Sequence, residues 1–401
     1  MSVRTELGDS DVERIRTEFP ALQEGVYLNT GGYAPTPLVV RDALIETYRW
    51  IAEKGEAMPD VRKEEDRRLG EVRAQMARML GADPDEIALL RNTTEGINAV
   101  LRGFDFEPGD ELITSDEENP AVLLPCAKLA QSRGVVIRQL RLIDNPSLLL
   151  ERLAALLTPR TRLIVLSHVT TVSGLVLPLD DISRLGNDIG VPVLWDGAQA
   201  VGQLPVDLHK SRCDFYCGCS YKWLMGPFGA GYLYVRRDWL NRLEMGDVGV
   251  GSQQALDLSS LKFTLRPSAD RYEYGARPWP VYVGFGAGMS MVERLGVNAI
   301  RERELELVAK ARRTMANIPG VAIVSSAVPE MTSGLFTIAV PGTDPQQLVL
   351  RMWEEHRVLA QWRHLAPGAV APKGIRFSLA FFVSKQDIEL AAQALRAVLG
   401  K

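Results

Sequence analysis

Cysteine and histidine are both scarce in this chain of 401 residues, which contains four of each. Cys213, Cys217 and Cys219 lie close together in the sequence, as metal ligands often do, but Cys126 is distant and no nearby histidine completes a tetrahedral set. Side chains alternate between the faces of a strand, so the three neighbouring thiols share one face of the run CDFYCGCSY. The spacing favours buried thiols on a strand, and we expect no metal.

Neither sign of charge is in large excess, because 46 lysines and arginines stand against 50 aspartates and glutamates. The net charge of −4 gives no electrostatic reason to expect nucleic acid or an anionic membrane as a partner. The chain also lacks an apolar run of membrane-spanning length and the apolar segment of a signal peptide. We therefore expect a cytoplasmic protein.

Three common catalytic motifs are missing as well. No G-x-G-x-x-G follows the first predicted strand, which argues against a nicotinamide dinucleotide site. The chain has no G-x-x-x-x-G-K-[ST] phosphate loop and no G-x-S-x-G nucleophile elbow. These absences argue against a P-loop nucleotide-binding protein and against a serine hydrolase of the α/β type.

Apolar runs alternate with amphipathic helical patterns from about Gly25 to Tyr234. Seven runs read as strands: EIALL (86–90), DELITSD (110–116), VVIRQLRL (135–142), RLIVLSHV (162–169), VPVLWDGAQ (191–199), DFYCGCS (214–220) and AGYLYVRRDW (230–239). This alternation predicts an α/β fold with a mostly parallel sheet covered by helices on both faces.

The pattern changes after about Pro267 to a long helix pair, followed by three strands interleaved with helices. Such a segment is typical of a smaller α+β domain. We therefore expect an N-terminal helical arm at 1–24 that belongs to the small domain, a large domain at 25–266 and a small C-terminal domain at 267–401.

Polar residues stand where three of the predicted strands end, and ligands of parallel α/β sheets collect at such ends. Thr93 and Thr94 open a helix, whose N-terminus can hold a phosphate, although either threonine could simply cap the helix. Asp196 ends a run expected to be buried, so its carboxylate needs a partner. That partner could be an arginine, a helix N-terminus or a protonated cofactor ring.

Lys222 lies between two aromatic residues at the third strand end, in a chain with only ten lysines. Burial favours the neutral amine, which is a nucleophile, whereas a lysine with a buried stem and a solvated head would have no such role. A phosphate seat, a buried aspartate and a buried lysine together match what pyridoxal phosphate (PLP) requires.

A set of motifs in this order resembles the class V aminotransferase family from about Tyr27 to the C-terminus. The motifs are YLNTGG (27–32), RNTTEGIN (91–98), DEENPAVLLP (116–125), DGAQAVGQLPVDL (196–208), SYKWLMGPFGAGYLYV (220–235), RYEYG (271–275) and IRFSLAFF (375–382). The family consists of fold-type I PLP enzymes and includes cysteine desulfurases, C–S lyases and isopenicillin N epimerase. YLNTGG and LSHVTTVSGLVLPL resemble the C–S lyase and epimerase branch.

The resemblance implies a role for each matching residue. Lys222 would carry the internal aldimine and Asp196 would keep the pyridine nitrogen protonated. The other implied cofactor-binding residues are Thr93, Thr94, Asn119, His168, Gln199, Cys219, Tyr221 and Ala276, with Gln199 and His168 near the phenolate oxygen. Arg376 would hold the substrate α-carboxylate in a bidentate fork, with Asn29, Arg277 and Arg363 as further substrate-binding candidates. A surface ion pair is the competing explanation for Arg277 and Arg363.

The family's partner subunit reaches the phosphate near the positions of Gly275 and Ala276. The resemblance therefore implies a homodimer with shared active sites.

Several departures from the family pattern bear on the reaction. Asn119 stands where the family commonly has a histidine stacked on the cofactor, and an amide cannot shuttle protons, so proton transfer would depend on Lys222. Tyr221 replaces another histidine, and Cys219, with Ser220 beside it, replaces a phosphate-binding hydroxyl. The segment at 357–376 lacks the nucleophilic cysteine of a desulfurase, which argues against a persulfide relay.

These residues lead us to expect a PLP-dependent lyase that acts on an L-amino acid with a β-leaving group, most plausibly sulfur. Proton removal by Lys222 would give a quinonoid, and loss of the β-substituent would lead to pyruvate and ammonia. Epimerisation at Cα and transamination are the alternatives within PLP chemistry. A non-catalytic protein with a PLP-enzyme fold is the alternative from another class, and the retention of Asp196, Gln199 and Lys222 argues against it.

Overall fold

The computed structural model describes residues 6–400. Residues 1–5 of the predicted N-terminal arm and residue 401 of the predicted small domain lie outside this range. The described range contains eleven α-helices: α1 (Asp9–Arg16), α2 (Leu38–Lys54), α3 (Pro59–Leu80), α4 (Thr93–Gly103), α5 (Pro120–Arg133), α6 (Pro146–Leu156), α7 (Leu179–Ile189), α8 (Trp279–Leu295), α9 (Val297–Ala316), α10 (Pro345–His356) and α11 (Lys385–Leu399).

The same described range contains fifteen strands. They are β1 (Val26–Tyr27), β2 (Ile87–Leu90), β3 (Glu111–Ser115), β4 (Val136–Leu140), β5 (Thr161–Ser167), β6 (Val193–Asp196), β7 (Phe215–Cys219), β8 (Gly231–Val235), β9 (Gln253–Asp257), β10 (Lys262–Leu265), β11 (Ala322–Ile323), β12 (Leu335–Ala339), β13 (Val358–Leu359), β14 (Gln361–His364) and β15 (Lys373–Ser378).

Seven strands form one mostly parallel sheet in the order β2-β8-β7-β6-β5-β3-β4. Only β8, among the strands of this sheet, runs antiparallel to its neighbours. The central strands β6 and β7 are entirely buried, whereas the edge strand β4 is largely accessible. All seven predicted strands are present, so the predicted α/β fold is confirmed.

Two hydrophobic clusters cover the opposite faces of this sheet. One contains Trp195 and Tyr216 together with Phe285 of α8. The other contains Phe215 and Cys217 together with Ile97 of α4. Because alternate residues of β7 enter different clusters, the strand is buried on both faces, as its continuous apolar sequence predicts.

A second sheet of four antiparallel strands, in the order β11-β12-β15-β14, forms the smaller unit. Its core joins Phe336 and Phe377 to Phe19, which follows α1. The ring of Phe19 lies 4.9 Å from that of Phe382. The segment after α1 therefore packs against the C-terminal part of the chain.

Helix α8 packs against α2 and α3, and its side chains enter the core of the large sheet. The next helix, α9, contributes Leu307 and Val308 to the core of the small sheet. This packing favours a boundary near Gly296 over one at 266, and the division into domains stays a prediction.

No helix within residues 6–400 has both the length and the apolar character needed to cross a membrane.

Candidate active site

A cleft of about 310 Å³ lies at the carboxyl-terminal edge of the large sheet. Strands β2, β3, β6 and β7 all end at this edge, so the loops that follow them converge there. The predicted site residues that line the cleft are Thr93, Thr94, Asn119, Asp196, Tyr221, Lys222 and Arg363. The structure thus brings together seven residues from five separate segments of the chain.

Lys222 lies in the turn after β7. The residues that follow it in the chain are held in place by packing and hydrogen bonds. Trp223 is buried in the core of the smaller unit, and its indole N–H donates to Gln199 Oε1 at 2.8 Å. The Met225 amide donates to the Lys222 carbonyl at 3.1 Å. Because its neighbours are held in this way, the half-buried Lys222 side chain lines the cleft rather than the outer surface.

Asp196 ends β6 and is only 6 % exposed. Its Oδ1 accepts a hydrogen bond from the Ala198 amide at 2.9 Å, and no ion pair among residues 6–400 includes it. Burial raises the pKa of the Asp196 carboxyl, and the charge of Lys222 acts in the opposite direction. A buried carboxylate of this kind can hold a cationic ring nitrogen of a ligand.

Helix α4 begins at Thr93, and neither Thr93 nor Thr94 is its N-cap residue. The Asn92 side chain caps the helix by accepting from the Glu95 amide at 2.9 Å. A Cβ added at Gly96 would lie 2.8 Å from the Cys217 Cβ, so this glycine allows α4 to approach β7 closely. The buried Thr93 hydroxyl has no hydrogen-bond partner in the described chain, and at a helix N-terminus it suits an anion.

Cys219 lies near the N-terminus of α4, beside the hydroxyl groups of Thr93 and Tyr221. Burial raises the pKa of its thiol, and burial also raises the pKa of the Tyr221 hydroxyl. The Ser220 hydroxyl instead donates to the carbonyl of Pro227. Of the neighbouring pair, Cys219 rather than Ser220 therefore faces the helix end.

Asn119 lines the cleft and also caps α5, because its Oδ1 accepts from the Ala121 amide at 2.9 Å. The preceding Glu118 is buried and accepts hydrogen bonds from the Ser115 hydroxyl at 2.7 Å and the Ser167 amide at 3.0 Å. Burial raises the pKa of Glu118 to about 7. Asn119 is thus fixed to a helix that starts beside an enclosed carboxyl.

Arg376 of β15 is completely buried next to the cleft. Its guanidinium donates to the Thr171 carbonyl at 2.8 Å, to the Thr171 hydroxyl at 2.9 Å and to Gln361 Oε1 at 2.9 Å. Burial, and then the nearby Arg363, lowers the pKa of Arg376 well below its usual value. Arg363 lines the cleft. No ion pair of the described chain includes it, so the surface ion pair considered for it is absent there.

Neither Gln199 nor His168 is among the residues that line this cleft. Gln199 Nε2 donates to the Gly31 carbonyl at 2.8 Å, which commits its amide to the cleft wall. The His168 ring hydrogen-bonds the Tyr216 hydroxyl at 2.9 Å and lines a separate cavity near Asp180. Burial lowers the pKa of His168 to about 4.

The remaining candidates, Arg277 and Asn29 for the substrate and Ala276 for the cofactor, are not among the residues that line the cleft. Arg277 donates to Glu273 at 2.6 Å and to the Leu89 carbonyl at 2.5 Å, so it joins the segment before α8 to β2. Ala276 lines a different cavity on that side of the chain. Asn29 supports the turn that carries the cleft-lining Gly31 and Gly32, and its buried Oδ1 lacks a hydrogen-bond partner in residues 6–400.

Two residues that contact Arg376 were missed by the sequence analysis. Gln361 lies two positions before Arg363 on β14, and the period-two alternation of a strand places both on one face. That spacing could have indicated Gln361. Thr171 comes from the segment after β5, and nothing in its local sequence signals the contact.

Comparisons with known proteins give a consistent result. Residues 26–390 match the family described as Aminotransferase class-V. Isopenicillin N epimerase from Streptomyces clavuligerus is 32 % identical over 389 residues, which are 94 % of this chain and 95 % of that protein. A cysteine desulfurase from Dickeya dadantii is 34 % identical over 319 residues, or 77 % of each chain.

Solved structures of C-DES are also similar. The cystine C–S lyase C-DES in complex with its product cysteine persulfide has a TM-score of 0.86 and 27 % identity, covering 94 % of this chain and 99 % of that one. A C-DES variant with glycine covalently linked to the PLP cofactor has the same TM-score and identity, covering 95 % of this chain and 98 % of that one.

Proposed function

Because this chain belongs to the class V aminotransferase family, whose members are PLP-dependent enzymes, we propose that it catalyses β-elimination from an L-amino acid with a sulfur-linked β-substituent. The similarity to the C–S lyase C-DES supports this reaction. The observation that carries the proposal is a PLP-type cleft around Lys222 in a chain whose thiols are all buried.

The residues of the cleft fit PLP. The unpartnered Thr93 hydroxyl at the start of α4 suits the phosphate, and the buried Asp196 carboxylate suits the protonated ring nitrogen. Lys222 offers the amine for the aldehyde, while Thr94, Asn119, Cys219 and Tyr221 surround these groups. When bound, PLP supplies an electron-accepting ring that stabilises the electron pair left by bond cleavage at the substrate Cα.

Lys222 is the residue of the cleft best suited to move the Cα proton. Its Nζ can accept a proton in the neutral form, whereas the Asn119 amide cannot act as a base. Arg376 would hold the substrate α-carboxylate and so fix the Cα–H bond toward the amine. The sulfur then leaves with the electrons of the Cβ–S bond and takes up a proton.

The overall reaction is balanced by one water molecule. An S-substituted cysteine and water give the free thiol, pyruvate and ammonium. No oxidant or reductant is needed, because the electrons that leave with sulfur are offset by those gained when the Cα–H bond breaks.

A persulfide relay of the desulfurase type is not part of the proposal. Cys126, Cys213, Cys217 and Cys219 are all buried, and none lies in the segment before Arg376. Burial raises the pKa of Cys126 to about 12 and raises that of Cys219, so both thiols stay protonated near neutral pH. A protonated thiol is a poor nucleophile, and a buried one cannot hand sulfur to an acceptor.

Epimerisation is the second candidate, and the 32 % identity to isopenicillin N epimerase over nearly the whole chain favours it. Inversion at Cα needs an acid on the face opposite the base. Tyr221 is the cleft residue that could donate such a proton, because burial raises the pKa of its hydroxyl and keeps it protonated.

Product analysis separates the two candidates. The purified PLP-loaded enzyme is incubated with L-cystine, L-cysteine, S-substituted cysteines and L-alanine plus a keto acid, and pyruvate, thiol, sulfide and Cα deuterium exchange are measured. We expect pyruvate in the same amount as the released sulfur product, which is a thiol from an S-substituted cysteine, cysteine persulfide from L-cystine and sulfide from L-cysteine. Lys222→Ala should form neither product. Deuterium exchange without pyruvate would favour epimerisation, and a protein-bound persulfide would contradict the proposal.

A homodimer and a cytoplasmic location remain part of the proposal. Val250, Leu258 and Leu261 are each more than three-quarters exposed in this single chain, and such a set of apolar side chains is typical of a surface that another protein covers. Their position in the segment that precedes Gly275 and Ala276 supports a dimer in which this region meets a second copy.

A further inference from the structure

Two arginines, the buried Arg376 and the half-buried Arg363, share one neutral acceptor beside the cleft. Arg363 donates to Gln361 Oε1 at 2.5 Å and Arg376 donates to the same oxygen at 2.9 Å. The two guanidinium groups therefore lie side by side. Like charges repel, so this arrangement is unfavourable unless an anion joins them.

No protein carboxylate neutralises this pair. Within residues 6–400, every ion pair leaves out both Arg363 and Arg376. The Nε atoms of both arginines are buried and have no hydrogen-bond partner in the described chain. Burial lowers the pKa of Arg363 to about 10, and the nearby Tyr33 opposes that shift.

The cleft therefore has one more cation beside it than a simple amino acid requires. One α-carboxylate can pair with Arg376 in a fork, which leaves the guanidinium of Arg363 without an anion. Arg363 lines the cleft directly, whereas Arg376 lies behind it, held by Thr171 and Gln361. A second acidic group on the ligand would reach Arg363 without displacing the first.

We propose that Arg363 selects a substrate with a second acidic group, so that the preferred substrate is an L-cysteine derivative whose sulfur substituent carries a carboxylate. This proposal rests on the proposed function for the nature of the reaction, but not for the binding of two acids. Arg376 binds the α-carboxylate and Arg363 binds the distal carboxylate. Gln361 accepts a hydrogen bond from each guanidinium group and so holds the two groups next to each other.

Binding of amine-free acids tests the arginine pair without any reaction. Glutarate and its monoamide glutaramate have nearly the same shape and differ by one charge, and neither can react with the cofactor aldehyde. Calorimetric titration of the PLP-loaded enzyme should give glutarate about 10- to 100-fold tighter binding than glutaramate, the range expected for one charge-assisted hydrogen-bonded contact.

Arg363→Gln should reduce that ratio to about 1 while glutaramate affinity is kept. The control is Lys373→Gln, because Lys373 is a neighbouring cation that lies over the Trp362 ring at 5.1 Å and outside the cleft lining. This control should keep the full ratio. Circular dichroism and the melting temperature show whether each variant is folded.

Two results would overturn the proposal. Equal affinities for glutarate and glutaramate in the unaltered enzyme would mean that no second acid is recognised. An equal loss of affinity for both acids in Arg363→Gln would mean that both arginines share a single carboxylate.

Steady-state kinetics then test whether the two arginines also select the substrate of the reaction. S-carboxymethyl-L-cysteine and its amide, S-carbamoylmethyl-L-cysteine, differ by the same single charge. We expect kcat/KM to favour the acid by about 10- to 100-fold in the unaltered enzyme and not in Arg363→Gln. If neither compound is cleaved but the glutarate preference is present, the proposed reaction fails and the acid-binding site stands.

Discussion

Glu118 is a buried carboxyl next to the candidate site. It lies one residue before Asn119, is buried and accepts hydrogen bonds from the Ser115 hydroxyl and the Ser167 amide. Burial raises the pKa of this carboxyl from 4.5 to about 7. Between pH 4.5 and about 7, the Glu118 carboxyl is therefore protonated in the folded protein and ionised in the unfolded chain.

This difference predicts a pH-dependent stability. The contribution of Glu118 is fully present below pH 4.5 and is lost as the pH rises through about 7. Relative to Glu118→Gln, the unaltered protein should lose up to about 3 kcal/mol of unfolding free energy between pH 5 and pH 8. Urea unfolding at a series of pH values measures the difference.

The control for this experiment is Glu71→Gln, since Glu71 is a largely exposed residue of α3. The control should follow the unaltered protein at each pH. If the curves of Glu118→Gln and the unaltered protein run parallel from pH 5 to pH 8, the buried proton is not present and the expectation is wrong.

At the residue scale, the ends of the predicted strands indicate which polar residues meet in the cleft. Thr93, Asp196 and Lys222 could be predicted to meet because each follows a strand that ends at the same sheet edge. The direction of a side chain beyond a strand end depends on competing hydrogen bonds, which a sequence does not reveal. Gln199 bonds to Gly31, and His168 bonds to Tyr216, so neither lines the cleft.

At the scale of elements, the start of α5 links stability to the site. The Asn119 side chain accepts from the Ala121 amide, and Pro120 follows as the first helical residue. We expect Asn119→Ala to lower the free energy of unfolding by about 1 kcal/mol, because the first turn loses its cap. Denaturant unfolding measures this change.

Asn119→Asp serves as the matched variant, because aspartate also caps a helix. It should keep the stability while placing a charge in the cleft, so activity should fall without a change in unfolding free energy. Equal destabilisation by both substitutions would show that the cap is not what Asn119 provides.

The long elements could be predicted and the very short ones could not. The seven strands of the large sheet are continuous apolar runs, which a sequence displays directly. Strands β1 and β13 contain two residues each and pair with one another across most of the chain. A run of two residues has no detectable period, so its pairing is set by tertiary contacts.

At the scale of the whole molecule, a short segment after β5 joins the two sheets. The Thr337 hydroxyl of β12 donates to the Val172 carbonyl at 2.6 Å, and the Ser333 hydroxyl donates to the Gly174 carbonyl at 2.6 Å. The same segment supplies Thr171, which holds Arg376. The position of Arg376, the proposed carboxylate-binding residue, therefore depends on contacts between the two units.

We expect Thr337→Val to lower the free energy of unfolding by about 1–2 kcal/mol, because the Val172 carbonyl would be left buried without its donor. KM for the amino-acid substrate should rise as well, since the neighbouring Thr171 supports Arg376. Chemical unfolding and steady-state kinetics measure the two effects.

Thr114→Val is the matched control for that substitution. Thr114 is also fully buried in a sheet, but its hydroxyl lacks a hydrogen-bond partner in the described part of the chain. Its replacement should be neutral or slightly stabilising and should leave KM unchanged. A similar loss of stability in both variants would indicate a packing effect rather than a lost hydrogen bond.

We propose that the cleft around Lys222 is the active site, and chemical trapping of the cofactor on this lysine tests the proposal. Borohydride reduction of the purified PLP-loaded protein fixes the bond between the lysine amine and the cofactor aldehyde, and peptide mass mapping identifies the modified residue. Of the ten lysines in the chain, we expect only Lys222 to carry the pyridoxyl group. Modification of a different lysine, or no modified peptide from protein that holds the cofactor, would mean that the active site lies elsewhere.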